Sequence, residues 1–421
     1  MREKIQALIK KGFFDIFGAS VLNKVITFLS SIVLVRVLSK TEYGLFSYVW
    51  NIYNIVMLVC GMGFDSGFLQ LASEKPDDKR YRIRLYGYCI RIGNLFNLLL
   101  SAILIIIALF TKLKFPDARG LFVFVAFLPL FQHGFRMMSV DLRAIKDNRK
   151  YALLNNINTL FISIFSVIGA LWLKDKGLIL GYYVAYIFTF IFALWVIKEP
   201  LKYRGNLQSD EKKQLYSISI ISVCNNSLSQ LLYLLDVFII AIVIPSERVL
   251  ANYKVATQIP TAFAFIPQAV VVFIYPYFAE HNRDSKWCIS NFKKLIGSFS
   301  AFNFLISTGL FIFAPIIIKL VYGTQYLDVV SIFRVLSISY FFSASFRTIV
   351  GNLLVTQRKL KFNLFMGIFI GLLNIITDCV FITNYGSIGA AYATLISVLV
   401  DSVISTTYLC YVFKNERNND F

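Results

Sequence analysis

Apolar residues in this chain come in long unbroken runs rather than in alternation. Runs of spanning length fall at roughly 14–37, 43–73, 85–110, 118–142, 152–173, 177–198, 215–245, 250–279, 293–318, 328–355, 362–382 and 388–413. A bilayer core of about 30 Å is crossed by about 20 apolar residues in a helix, so the pattern predicts about twelve transmembrane helices. Barrel strands are excluded, because they alternate and need only about 10 residues each. Several runs exceed a straight crossing, which implies tilt or extension into the interface. The predicted class is an all-α polytopic membrane protein.

The polar connectors set the orientation. With the N-terminus inside, 27 of the 42 Lys and Arg fall in cytoplasmic loops and nine in the opposite loops. The remaining six, Lys24, Arg36, Arg91, Arg136, Arg334 and Arg347, lie in spans or at their ends. Short cytoplasmic loops carry the basic excess, so both termini are expected inside. Residues 1–11 form a basic amphipathic stretch, read as a retained cytoplasmic lead-in rather than a cleaved signal.

The longest polar connector near the middle, residues 198–213, splits the spans six and six. It suggests two units, 1–205 and 206–421. The stretch Leu142–Tyr151 recurs at Leu353–Phe362, offset by 211, and Lys176–Tyr183 recurs at Tyr385–Tyr392, offset by 209. A weaker pair, Ser39–Tyr48 and Ser246–Val255, is offset by 207. Near-constant spacing points to an internal repeat. Two six-helix bundles of parallel topology, facing each other across a cleft, are the expected product.

Composition agrees and narrows the function. Apolar residues make up 57% of the 421 and charged residues 15%, against about 25% charged in an average globular chain. No room remains for a large soluble domain. The net charge of +19 would suggest nucleic acid in a soluble protein; here it belongs to cytoplasmic loops, and no nucleic-acid partner is expected. The six cysteines stand singly, and His133 and His281 are far apart. Neither disulfide framework nor metal-ligand spacing is present. There is no nucleotide-binding loop, and Gly61–Gly67 has the wrong glycine spacing for a dinucleotide. No catalytic residue, cofactor or metal is expected, and an enzyme is disfavoured.

The informative residues are the polar ones that lipid rejects. In the first span Ser20, Lys24, Thr27 and Ser31 share one helical face. A lysine near mid-depth costs at least about 2.5 kcal/mol, so this face should look into protein or a wet cavity. Asn54, Gly61 and Asp65 repeat the arrangement in the second span, and Asn225, Ser229 and Asp236 in the seventh. The eighth carries Thr257, Thr261 and Gln268, with Pro260 and Pro267 to bend it. Arg91, Arg136, Arg334 and Arg347 either snorkel or line a cavity. Six cations in the spans against Asp65, Asp236, Asp378 and Asp401 favour an anionic cargo, and arginine suits pyrophosphate through bidentate contacts. Asp401 either neutralises one cation or carries a coupling proton. The cavity candidates are therefore Lys24, Ser31, Asn54, Asp65, Arg91, Arg136, Asn225, Asp236, Gln268, Arg334 and Arg347, with Asp236 and Asp401 as ion-coupling candidates.

Several stretches resemble a known family. Val35–Phe46, Asp236–Ile240 followed by Ala251–Ala256, Tyr322–Tyr326, Asn374–Ile376 and Asn384–Thr394 together resemble O-antigen (Wzx-type) polysaccharide flippases of the multidrug/oligosaccharidyl-lipid/polysaccharide exporter superfamily. The similarity covers nearly the whole chain. It implies a twelve-helix transporter of the bacterial inner membrane, serving polysaccharide or lipopolysaccharide biosynthesis. Such a protein carries an undecaprenyl pyrophosphate-linked glycan from the cytoplasmic to the periplasmic leaflet, by alternating access through a cationic central cavity. The lipid bilayer is its medium, and a polysaccharide polymerase and chain-length regulator are the partners implied. The first two helices of each bundle chiefly line the family's cavity, which here carry Lys24, Asp65, Asp236 and Gln268. The alternatives are a related lipid II flippase, which usually has two more helices than this length accommodates, a drug or cation exporter of the same superfamily, which would need a more acidic lining, and a multi-span polymerase or glycosyltransferase, which would need long loops.

Overall fold

The computed structural model describes residues 13–75, 77–110, 113–197, 206–282 and 284–418. The basic lead-in at 1–11 and the first half of the connector, 198–205, lie outside the described residues. Among the described residues all regular structure is helical. The chain forms two compact units, Met1–Leu234 and Leu235–Phe421.

The first unit contains α1 (Phe13–Val37), α2 (Lys40–Val56), a 3₁₀ segment (Met57–Gly63), α3 (Phe64–Glu74), α4 (Lys79–Phe110), α5 (Ala118–Val125), α6 (Leu128–Ala144), α7 (Asn148–Ile197) and the first turns of α8 (Ser209–Val243). The second takes up the end of α8 and continues with α9 (Glu247–Phe263), α10 (Phe265–Glu280), α11 (Ser285–Ile312), α12 (Ala314–Tyr322), a 3₁₀ segment (Thr324–Val329), α13 (Val330–Phe342), a π turn (Ser343–Arg347), α14 (Thr348–Thr356), α15 (Leu360–Tyr385) and α16 (Ser387–Asn418). Among the described residues nine helical stretches are long and apolar enough to span a bilayer. One of these, α7, doubles back on itself and supplies two crossings. With α1 and α8, of 25 and 35 residues, the expected twelve crossings are present, and the protein is a multi-pass membrane protein.

Burial runs opposite to that of a water-soluble fold. Leu95, Leu98, Leu99, Ile106 and Leu109 project outward from α4, while Asn97 and Ser101 on the same helix are buried. Lipid accepts the leucines, and the amide needs protein partners. Asn97 has two: its Oδ1 accepts from Gly61 N at 2.8 Å and its Nδ2 donates to the Pro129 carbonyl at 3.2 Å. Phe64, Phe68, Leu85, Cys89, Met137 and Leu215 form a core in the first unit, and Phe278, Phe292, Ile349, Leu353, Leu409 and Phe413 one in the second.

The repeat is visible in local geometry, and its register differs from the sequence spacing. Lys146 (φ +61°) and Arg358 (φ +57°) end their helices in the left-handed region with matching hydrogen bonds, Asp147 N to Leu142 O and Lys359 N to Leu354 O. Their offset is 212, not 211. The hairpin turns fall at Lys174 (φ 55°, ψ −133°) and Gly386 (φ 69°, ψ −150°), again offset by 212 rather than 209. Close contacts repeat too: a Cβ on Gly177 would strike Gly169 O, and one on Gly389 would strike Phe381 O. Earlier in each half the offset is 206. Asp78 Oδ1 caps Tyr81 N at 2.8 Å, and Asp284 Oδ1 caps Trp287 N at 2.9 Å. Sequence matching drifted by up to three residues because helical positions facing lipid tolerate any apolar residue, whereas turn backbones do not.

Candidate functional site

Three polar places interrupt the apolar spans. The first is a break in the second crossing. Cys60 is extended (φ −50°, ψ 132°), and Gly61, Met62 and Gly63 are all left-handed, with φ of 56°, 55° and 69°. Asn54, Gly61 and Asp65 therefore do not share a helical face as their spacing predicts. Backbone groups freed at membrane depth must find partners: Asn97 takes Gly61 N, and Ser227 Oγ donates to Leu58 O at 3.0 Å. The break opens a cavity of about 350 Å³ lined by Asp65, Ser66, Arg136 and Ser227. Asp65 Oδ1 accepts from Ser66 N at 3.0 Å. Two predicted site residues, Asp65 and Arg136, thus meet in one polar space.

The second is a pocket of about 340 Å³ within the first unit, between α1, α2, α6 and α7. Trp50 stands at its wall, stacked on Tyr53 at 4.9 Å, close to Tyr182 at 4.7 Å and against Phe46 at 5.4 Å. Hydroxyls of Thr27, Ser31, Thr159 and Ser166 line the rest. Of the predicted residues Ser31 is here, its Oγ donating to Phe28 O at 2.7 Å. Lys24 is exposed on its helix and is not among the lining residues.

The third lies in the second unit. Asp236 Oδ2 accepts from Tyr253 Oη at 2.8 Å and from Thr394 Oγ1 at 3.1 Å. Asp378, fully buried, lies within hydrogen-bonding reach of Asp236 and accepts from Asn374 Nδ2 at 3.4 Å. Lys254, within the apolar run 250–279, sits inside α9, where its charge attracts Asp236. Asp236 Oδ1 and Asp378 Oδ1 are buried and have no donor among the described residues. Two neighbouring carboxylates away from water cannot both remain bare. Lys254 can balance one; the other calls for a proton or a small cation.

The other candidates are engaged elsewhere. Arg347 Nε pairs with Asp401 Oδ2 at 2.9 Å, so Asp401 neutralises a cation. Arg334 lies over the Phe311 ring at 5.3 Å and donates from Nε to Phe311 O at 3.2 Å. Arg91 is exposed and donates to Asn206 Oδ1 at 3.1 Å. Asn54 Nδ2 donates to Trp50 O at 2.7 Å, and Gln268 is exposed just beyond the break at Ala264 that Pro260 and Pro267 flank. The side chains of Ser20, Asn225 and Ser229 lie outside the described residues.

The model of the family described as "Polysaccharide biosynthesis protein" matches residues 33–331. The chain belongs to that family. Among curated proteins no significant match is found. Solved structures share the fold of this family member: a lipid II flippase MurJ in an inward closed conformation has TM-score 0.72 and 16% identity, covering 95% of this chain and 89% of that one. An inward-facing multidrug resistance MATE transporter of the MOP superfamily has TM-score 0.75 and 12% identity, covering 94% and 96%. A MOP superfamily transporter from Pyrococcus furiosus has TM-score 0.61 and 11% identity, covering 96% and 95%. The resemblance to polysaccharide flippases is borne out at the level of family and fold. In this polysaccharide biosynthesis protein the sequence candidates did not include Tyr253, Asn374 or Thr394, and Asp378 was counted only as a span carboxylate. The available signal was the i, i+4 pair Asn374 and Asp378, a polar amide and an acid on one face of an apolar run.

Proposed function

We propose that this chain is a flippase carrying an undecaprenyl pyrophosphate-linked oligosaccharide, an O-antigen repeat unit or its like, from the cytoplasmic to the periplasmic leaflet of the bacterial inner membrane. The observation that carries this reading is the match to a polysaccharide biosynthesis family across a chain with a transporter fold. The lipid tail can stay in hydrocarbon while pyrophosphate and sugars need a polar path. Arg136 at the broken second crossing is the side chain best suited to the pyrophosphate, as guanidinium makes paired hydrogen bonds to phosphate oxygens. Lys24, exposed on α1, adds positive charge for the same cargo. Asp236 and Asp378 take the coupling proton or monovalent cation, and release it when the carrier changes access. Both termini lie in the cytoplasm, and the polymerase and chain-length regulator that use the flipped unit are its functional partners.

The test is a deletion strain complemented with the intact gene, Lys24→Ala, Arg136→Ala or Asp236→Asn. Inward-facing lipid-linked oligosaccharide should accumulate without the gene, with loss of surface polymer. The intact gene should reverse both, and the variants, expressed at normal level, should not. A drug exporter is the second reading, favoured by the fold match to a multidrug transporter. Unchanged surface polymer with no accumulated intermediate, in a strain without a second flippase, would select it.

A further inference from the structure

The pocket of the first unit has a chemistry of its own. Its wall is aromatic: Phe46, Trp50 and Tyr53 follow one another along one face of α2, and Tyr182 joins them from α7. None of its described lining residues is charged. Ser166 Oγ donates to Ser163 O at 3.3 Å and Thr159 Oγ1 donates to Asn155 O at 2.9 Å. Each hydroxyl has thus spent its proton on its own helix and offers a ligand only lone pairs. Gln132 is arranged the other way. Its Oε1 accepts from Tyr53 Oη at 2.8 Å, which leaves its amide N–H groups as the donors that face a ligand.

This combination selects among ligands. A lipid tail would leave the hydroxyl side unmatched. An anion would find one amide and no cation. A neutral ring with one C–H face and a rim of hydroxyls matches all three features: the face lies against the aromatic wall that Trp50 and its ring neighbours form, the hydroxyls donate to Ser166 and Thr159, and a ring or acetamido oxygen accepts from Gln132. We propose that this pocket is a neutral-sugar subsite, holding one sugar of the lipid-linked glycan. Its volume of about 340 Å³ falls within the range of about 300–1,000 Å³ for small-molecule sites. The inference rests on the flippase reading and adds to it which part of the first unit reads the glycan.

The test uses the full chain in lipid nanodiscs and two probes. One is bare undecaprenyl pyrophosphate; the other is the undecaprenyl pyrophosphate-linked oligosaccharide extracted from a strain lacking the gene. The intact protein should bind the glycosylated lipid about tenfold tighter, one good contact's worth of preference. Trp50→Ala and, separately, Gln132→Leu should abolish that preference while leaving affinity for the bare lipid within about twofold, the scatter of contacts not involved. Retained preference in both variants would overturn the subsite, as would equal loss of both affinities. Binding of tetraethylammonium that disappears in Trp50→Ala would mark the pocket as a cation cage and overturn it as well. Binding of neither lipid to the intact protein would sink the flippase reading itself, and the subsite with it.

Discussion

The aromatic pocket of the first unit and the carboxylate cluster of the second occupy corresponding places in the repeat. At the offset of 212 set by the turns, Ser166 corresponds to Asp378 and Tyr182 to Thr394; at the offset of 207 between the starts of α2 and α9, Phe46 corresponds to Tyr253. In the first half these positions surround space. In the second they close on an acid pair with Tyr253, Thr394 and Lys254 against it. The backbone frame has been kept and the side chains have diverged. A duplicated scaffold can therefore divide labour, these positions facing an uncharged pocket in one copy and a buried acid pair in the other.

The strongest way to break this contrast is to make the second half like the first. Asp378→Ser should leave expression normal and lower coupled export at least about tenfold, because Asp236 then loses the neighbouring buried carboxyl with which it would share the coupling ion. Lipid-linked oligosaccharide accumulation in complemented cells measures it. If export is unchanged, the cluster is structural and the proposed division of labour fails.

The next effect concerns what the halves share. Gly177→Val and Gly389→Val both push a side chain onto a facing carbonyl, and each should cost about 1–3 kcal/mol by overpacking. Thermal unfolding in detergent reads this, and the two losses should be alike if the hairpins are equivalent.

A charge pair present only in the second half comes third. Removing Arg347 leaves Asp401, whose side chain is 14% exposed, without its ion partner. Arg347→Gln should cost about 1–3 kcal/mol, less than a fully buried pair because of partial exposure. Adding Asp401→Asn should recover much of it, as a double-mutant cycle will show.

The smallest contrast is at the start of corresponding helices. Asp147 Oδ1 accepts from Lys150 N at 3.1 Å and its Oδ2 pairs with Lys150 Nζ at 2.9 Å, whereas Lys359, its counterpart, caps α15 with no side-chain bond. Partial burial pushes the Asp147 carboxyl up, but the hydrogen bonds and charge of Lys150, with Arg149, outweigh it and hold the pKa below its ordinary value. Its stabilisation is therefore complete above the unfolded-state pKa and lost as pH falls through the lower folded-state value. Asp147→Ala should cost about 1 kcal/mol at neutral pH, and the difference from the unmodified protein should vanish in acid.

How much of this could be read beforehand depended on what kind of residue carried the information. The spans were legible because lipid imposes long apolar runs, and the repeat because the turns at Lys146 and Arg358, and those at Lys174 and Gly386, lie in or beside its recurring stretches. The break at Cys60–Gly63 was not, since Met62 adopts a left-handed conformation that nothing in an apolar run announces. Arg347 and Asp401, 54 positions apart, carry no local sign of pairing. Trp50, Tyr53 and Tyr182 were silent for a different reason: an aromatic residue in a span serves equally against lipid, in a core or beside a ligand. Asp378 was counted as one of four span carboxylates, but only the fold sets it beside Asp236.

The glycine contacts at the hairpin tips bear on how the protein is made. In α7, Gly169 meets Gly177 and Gly181 meets the Phe165 carbonyl, so the two arms touch along their backbones within a few residues of the turn. Small residues let membrane helices approach this closely, and the contacts need no other part of the chain. As the ribosome delivers each hairpin, its two arms can zip from the tip and enter the bilayer as a finished pair. Biogenesis then becomes the stepwise addition of prepacked pieces, with α7 complete before any residue of the second unit has been synthesised.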